Sequence, residues 1–299
     1  MDKWVNQPMS IQRALIHGKE SLVEQTDGLR AAEILLQYTL KVARAYLYAH
    51  TEQTLSLDQI ARYQDLLQQR QQGTPIAYLI GQRSFWTLDL IVSPHTLIPR
   101  PETELLIERM LAETDAKQPY TLLDLGTGSG AIALAIASER PDWHITACDQ
   151  SAEALQIAEH NAQALQLTTI QFIQSDWFQA LDQQQFDIIV SNPPYLASDD
   201  PHLLQGDLRF EPQSALVSGK DGLDALRIII QNSCHHLSER GLLIVEHGYA
   251  QGAAVYKLFE QYGYQNIQSW QDWQEHDRIC SGRKKVEVRE DFETHLPSG

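Results

Sequence analysis

Cysteine is scarce in this chain: three in 299 residues, Cys148, Cys234 and Cys280, far apart and with no C-x-x-C pair. That speaks against a disulfide framework or a structural zinc site and for reduced thiols in a cytoplasmic protein. Cys148 falls inside a predicted strand and reads as a small buried apolar residue. No apolar run approaches the length of a membrane span. The start, Met1-Asp2-Lys3-Trp4-Val5-Asn6, has no apolar stretch of the kind a secretion signal carries. Basic residues are also short, 23 Lys and Arg against 39 Asp and Glu, for a net charge of −16. Nucleic-acid binding draws most of its non-specific affinity from a basic face that neutralises phosphates. The balance therefore tilts from DNA toward a protein substrate. The basic run Arg283-Lys284-Lys285 ends a predicted strand and reads as a solvated terminus. Nothing suggests a membrane partner, a bound metal or more than a monomer. The remainder, 43% hydrophobic, is ordinary for a folded chain and long enough for two cores.

Residues 7 to about 72 read as a small helical unit. Ala31, Leu35, Tyr38, Val42 and Ala45 recur at helical spacing and predict one apolar stripe. Ser56 with Gln59 three residues on is a capping box that opens a helix with Ile60, Tyr63 and Leu67 on one face. Gly73-Thr74-Pro75 ends the helical character. Residues 83–98 have β character and break at Ser93-Pro94, as a hairpin linking two units would. From Arg100 onward strands and helices alternate, with strands expected at 121–126, 144–149, 170–175, 186–191 and 241–246. Two late strands, near 264–270 and 277–283, have a short connection. This is the pattern of a doubly wound, mostly parallel α/β sheet, seven-stranded with an antiparallel edge strand. The expected domains are 1–75 (helical), 76–100 (linker with hairpin), 101–285 (α/β) and 286–299 (a disordered tail).

The chemistry concentrates at strand ends. Asn192-Pro193-Pro194-Tyr195 follows the apolar strand Phe186 to Val190, and open α/β sheets hold ligands at the carboxyl ends of their strands. Two prolines lack N–H groups, which leaves local carbonyls free to accept hydrogen bonds. Asn192 adds a side-chain carbonyl and Tyr195 a flat aromatic face. Such a site suits an –NH₂ group, either a carboxamide or the exocyclic amine of a base. A proline turn that merely ends a strand is the plain alternative. Upstream, strand Thr121 to Leu125 runs into Gly126-Thr127-Gly128-Ser129-Gly130 and then a helix-like run, Ala131 to Glu139. Glycines there let backbone N–H groups approach a ligand closely. Ala131 stands where a dinucleotide fingerprint wants its last glycine, which weakens a nicotinamide reading. About 20 residues on, where a ribose-binding acid is expected, Asp149 ends the strand from His144. Its plain alternative is a helix N-cap, a part that Ser151 could also play.

With D-L-G-T-G-S-G, an acid ending the second strand and N-P-P-Y ending the fourth, the chain resembles class I S-adenosylmethionine-dependent methyltransferases. More narrowly it resembles the HemK family, which methylates a glutamine of peptide-chain release factors at N5. Gly81-Gln82-Arg83-Ser84-Phe85-Trp86, Leu97-Ile98-Pro99-Arg100-Pro101-Glu102-Thr103-Glu104, Glu211-Pro212-Gln213-Ser214-Ala215-Leu216 and Val245-Glu246-His247-Gly248 match that family in order. Ser218-Gly219-Lys220-Asp221 departs from it where a glycine pair is expected, a matter of loop geometry. The resemblance implies S-adenosylmethionine as cofactor, lined by Gly126 to Gly130 at the methionine end and by Asp149 at the ribose. Asp176 and Trp177 would flank the adenine. Asn192, Pro193, Pro194 and Tyr195 would bind the substrate glutamine, with Asn192, Pro193 and Tyr195 catalytic and Asn192 also near the cofactor. The N-terminal helices would help engage the release factor. Glu102 and Thr103 begin a helix and could help close the pocket. Glu246-His247-Gly248 reads first as a structural turn and second as an acid–base candidate.

Other readings stay open. A nucleic-acid adenine or guanine amino methyltransferase shares N-P-P-Y, but a flipped base needs a basic channel. A module that senses the cofactor without catalysis, or a nicotinamide oxidoreductase, is further off.

Overall fold

The computed structural model describes residues 8–23 and 27–286. Residues 1–7, 24–26 and 287–299 lie outside them, the last taking in all but the first residue of the tail, 286–299, expected to be disordered. The chain divides into two compact units, one of residues up to Pro99 together with Asp199–Leu216, the other of Arg100–Ser198 with Val217 onward. The segment 199–216, which the linear order places inside the α/β region, thus clusters with the first unit.

The first unit is built on helices α1 (Ile11–Ser21), α2 (Gly28–Leu40), α3 (Arg44–Ala49), α4 (Leu57–Gln71) and α5 (Ile76–Ile80). Ile11, Leu22, Leu35, Leu36, Leu47 and Tyr63 form its core. The capping box opens α4 as expected: Ser56 Oγ accepts from the Gln59 amide and Gln59 Oε1 from the Ser56 amide. The expected stripe is cut short, because α2 ends at Leu40 with Lys41 in the left-handed conformation. Val42 and Ala45 therefore lie beyond the helix, and Ala45 is exposed. α5 is an extra turn of helix past Pro75, where the helical character was expected to have stopped. The hairpin follows as β1 (Gln82–Phe85) and β2 (Leu88–Ile91), antiparallel, with Phe85 and Leu90 buried. Within the same unit Glu211 accepts from the Ile98 amide at 3.1 Å, and Arg70 pairs with Asp207 at 3.1 Å.

The second unit begins with a 3₁₀ turn, Pro101–Thr103, and α6 (Glu104–Ala112). Then come β3 (Thr121–Leu125), α7 (Ala131–Glu139), β4 (His144–Asp149), α8 (Ala152–Ala164), β5 (Ile170–Gln174) and β6 (Phe186–Ser191). α9 (Asp224–His236), β7 (Leu237–Glu246), α10 (Gly252–Gln261), β8 (Gln265–Gln271) and β9 (Asp277–Arg283) complete it. The sheet has seven strands in the order β5-β4-β3-β6-β7-β9-β8. β5 through β7 pair in parallel, while β9 runs antiparallel to both neighbours. The late hairpin supplies the antiparallel edge, β9 on the inside and β8 outermost. α9 passes into β7 with no intervening loop, so β7 starts four residues before the expected 241. Its early pairing is irregular between Phe186 and Ile188 on the partner strand. Leu123, Leu125, Ile189, Leu243 and Val245 are fully buried on this sheet, as near-continuous apolar strands covered on both faces must be. Arg283 and Lys284 are held rather than solvated: Arg283 pairs with Glu113, and Lys284 Nζ donates to the Leu237 carbonyl. None of the described helices is long and apolar enough to cross a membrane.

The register sets the site. Leu125 lies opposite Cys148 and Ser191, Asp149 opposite Gln174, and Ser191 opposite Val245. The segments after these parallel strands, starting at Gly126, Gln150, Ser175, Asn192 and His247, therefore leave the sheet along one edge. Chain order reverses between β3 and β6, the topological switch point where such sheets bind ligands.

Candidate active site

At the switch point β3 gives way to a loop in which Gly126, Gly128 and Gly130 all have positive φ (73°, 57° and 83°), a conformation that disfavours side chains. Gly128 is open, with nothing within 4 Å of where a Cβ would stand. At Gly130 a Cβ would meet Leu134 at 2.9 Å, so close packing of α7 demands glycine there. Thr127 and Ser129 are buried and support the loop from within. Asp149 meets the loop directly, its Oδ2 accepting from the Gly128 amide and its Oδ1 from the Ser151 amide, each at 2.9 Å. The cap of α8 is Ser151, whose Oγ accepts from Ala154 N; Asp149 is thus not the cap. Burial raises the Asp149 carboxyl above its ordinary value.

After β5, Trp177 takes φ 50°. Its ring lies 3.8 Å from where a Cβ on Gly126 would stand, so it reaches the glycine loop. Asp176 is exposed and accepts from its own turn, from Gln179 Nε2 at 3.1 Å.

Asn192 and Tyr195 are partly buried, and neither stands free. Asn192 Nδ2 donates to Thr103 Oγ1 at 2.9 Å, and Thr103 Oγ1 donates to Glu246 Oε2 at 2.7 Å. The Tyr195 hydroxyl donates to the other oxygen of Glu246 at 3.3 Å. The Tyr195 carbonyl accepts from Gln251 Nε2 at 3.0 Å, and Gln251 Oε1 in turn accepts from the Gly248 amide. Burial and the neighbouring Glu246 carboxylate raise the Tyr195 hydroxyl far above its ordinary range, so it stays protonated. Among the described residues no donor reaches Asn192 Oδ1 or the Pro193 carbonyl. Glu246, at the end of β7, is 1% exposed, and burial pushes its carboxyl up to about 7. His247 is also buried; its Nδ1 lies 2.9 Å from the Gly248 carbonyl, and burial lowers its pKa.

Sequence reasoning passed over two residues of this edge, Asp124 and Gln251, and the link between two others it had named, Thr103 and Glu246. Asp124 is a charged residue inside an apolar strand, a signal that was there to be read. It is fully buried under the glycine loop and accepts from Thr127 Oγ1 at 2.7 Å. Burial pushes it up to about 7, and its Oδ1 has no partner among the described residues. Gln251 and the link from Thr103 to Glu246 carry no local signal, because their partners are 56 and 143 residues away.

Family models match two stretches: a methyltransferase small domain over residues 101–207 and a PrmC N-terminal domain over residues 13–81. The chain is 50% identical over 270 residues to a release factor glutamine methyltransferase of Xylella fastidiosa, covering 90% of this chain and 97% of that one. It is 48% identical over 275 residues to the enzyme of that name from Escherichia coli K12, covering 92% and 99%. The chain belongs to the release factor glutamine methyltransferase family. In fold it also resembles the hMettl16 catalytic domain, solved with an RNA hairpin. There the TM-score is 0.55 at 14% identity, over 75% of this chain and 82% of that one.

For this family the cofactor is S-adenosylmethionine, and the donor set fits it. A left-handed glycine loop with open space at Gly128, a carboxylate ending the adjacent strand, an indole ring and a buried carboxylate oxygen on Asp124 without a partner among the described residues match an ammonium-bearing nucleoside. A nicotinamide dinucleotide would instead bring its pyrophosphate to the N-terminus of α7, where Asp124 Oδ2 already takes the Ala133 amide.

Proposed function

We propose that this protein methylates the side-chain amide nitrogen of the glutamine in the Gly-Gly-Gln motif of bacterial release factors, in the cytoplasm and as a monomer. The carrying observation is the anchored Asn192, whose Oδ1 is left facing away from Thr103 as an acceptor at the sheet's switch point. When bound, S-adenosylmethionine supplies an electrophilic methyl group on a sulfonium. Gly126 to Gly130 hold its methionine end, with Asp149 at the ribose and Asp176 and Trp177 at the adenine.

An amide nitrogen is a poor nucleophile because its lone pair is delocalised into the carbonyl. Asn192 Oδ1 and the Pro193 carbonyl accept its two hydrogens and so orient the nitrogen and bias it toward tetrahedral geometry. Pro194 stiffens the turn, and the Tyr195 ring packs against the amide plane. Positioning of this kind can lower a barrier by on the order of 7–11 kcal/mol. The amide sheds its proton once methylated, and water suffices to take it. The helical unit, which matches the PrmC N-terminal domain, engages the release factor.

A methylation assay with labelled cofactor tests this on a release factor, on its Gln→Ala variant in the Gly-Gly-Gln loop and on duplex DNA. Label is expected only in the wild-type factor. Label in DNA alone would move the protein to the amino methyltransferases of nucleic acids.

A further inference from the structure

The residues that meet Asn192 from the far side form a chain with a direction. A carboxylate only accepts hydrogen bonds, whereas a threonine hydroxyl has a single proton to give. The 2.7 Å contact from Thr103 Oγ1 to Glu246 Oε2 commits that proton to the carboxylate. Thr103 can then only accept from Asn192, at 2.9 Å, which brings the Nδ2 end of the amide to it and turns the Oδ1 end away. The second Glu246 oxygen takes the Tyr195 hydroxyl at 3.3 Å, so one buried side chain holds both ends of the tetrapeptide. We propose that Glu246 is a positioning residue for methyl transfer: acting through Thr103 and Tyr195, it sets which end of the Asn192 amide meets the substrate glutamine. The inference rests on the reading of Asn192 as the acceptor of the glutamine N–H groups.

The charges around Glu246 bear on when this direction holds. From β9, Arg278 favours the carboxylate; from the 3₁₀ turn, Glu102 opposes it; Thr103 and Tyr195 favour it as donors. His247, next along the chain, is a buried imidazole whose pKa burial lowers, so it stays neutral. Burial outweighs the favourable contacts and brings the Glu246 carboxyl up to about 7. Once protonated, Glu246 has a proton of its own to give Thr103. The chain can then run in reverse, with Thr103 donating to Asn192 Oδ1 and the Nδ2 end facing a substrate amide that is itself a donor.

The test compares wild type, Glu246→Gln, Thr103→Val, Thr103→Ser and the Glu246→Gln/Thr103→Val double variant on a release factor. In wild type kcat should rise through about pH 7 and level off above it. Glu246→Gln should lose roughly 5- to 100-fold in kcat, the range of a mispaired buried hydrogen bond, with cofactor Kd unchanged and the acidic limb gone. Thr103→Val should lose a similar factor, the double variant no more than the worse single, and Thr103→Ser should recover most of kcat. A Glu246→Gln loss under twofold, a surviving acidic limb or multiplying losses would overturn the proposal. If Gln at 246 prevents folding, the contrast of Val with Ser at 103 decides alone. The side-chain amide resonances of Asn192 give a readout free of turnover, expected to shift with a midpoint near pH 7 in wild type and not in Glu246→Gln. An inactive wild type would refute the acceptor reading, while pH-insensitive Asn192 resonances would refute the relay.

Discussion

Asn192 has two donors and two lone pairs on one planar amide, and the protein engages the Nδ2 end while no donor among the described residues takes the Oδ1 end. Removing the amide should therefore separate binding from turnover. Asn192→Ala is expected to keep cofactor Kd within about twofold while kcat falls ~10²–10³-fold, the loss typical of one polar transition-state contact. Calorimetry with cofactor and steady-state assays with a release factor read the two separately; turnover within tenfold of wild type would move the acceptor site elsewhere. At this scale legibility follows chain distance. Asn192 and the glycines were readable because each follows an apolar strand directly, which marks it as a strand-end loop. Thr103 and Glu246 could be noticed but not connected, since 143 residues separate them and only the sheet brings the 3₁₀ turn to the end of β7. The strand-end position of Asp149 was legible, although the alternative of a cap was settled only by Ser151 taking that part.

Elements position the tetrapeptide through their ends. Gly222, before α9, has φ 75°, and a Cβ there would stand 2.2 Å from the Tyr195 carbonyl and 2.7 Å from Gln251 Nε2. Backbone meets backbone at this point, so no rotamer change relieves the clash. Gly222→Ala should displace Tyr195 and break its bond from Gln251. The expected result is kcat down about tenfold or more with cofactor affinity retained, since misplacement of about 1 Å can cost ~10²-fold. Wild-type kcat in that variant would mean that the tetrapeptide stands without this support. The loop departure at Ser218-Gly219-Lys220-Asp221 is accommodated here: Gly219 takes φ 75° and Ser218 Oγ accepts from Ala225 N at the start of α9. Strands and caps were legible because their signals are local, an apolar run or a Ser-x-x-Gln box. The end of α2 was not, because the stripe from Ala31 to Ala45 keeps its period through Lys41, which breaks the helix by adopting a left-handed conformation that periodicity does not register.

Across the whole molecule two buried acids, Asp124 and Glu246, sit along the sheet edge that carries the glycine loop and the tetrapeptide, each pushed by burial up to about 7. A site built to hold polar groups in low dielectric carries a stability cost, and its sign is fixed by linkage. Glu246 rises from an ordinary 4.5, so between 4.5 and about 7 the native state holds its proton where the unfolded chain has released it. Stability is therefore largest below that window and falls as pH rises through it; above it both states are ionised and the native carboxylate is the costlier one. Asp124 acts with the same sign. At about 1.4 kcal/mol per pKa unit, Glu246 alone accounts for on the order of 3 kcal/mol. Glu246→Gln removes this titration while leaving Asp124 in place. Urea unfolding of both proteins from pH 4 to 9 should show the variant gaining on wild type as pH rises, with the gap levelling above about 7. A gap that stays flat with pH would mean that Arg278, Thr103 and Tyr195 together hold the carboxylate at its ordinary value. The acidic limb expected for kcat would then vanish as well, so stability and catalysis test the same proton.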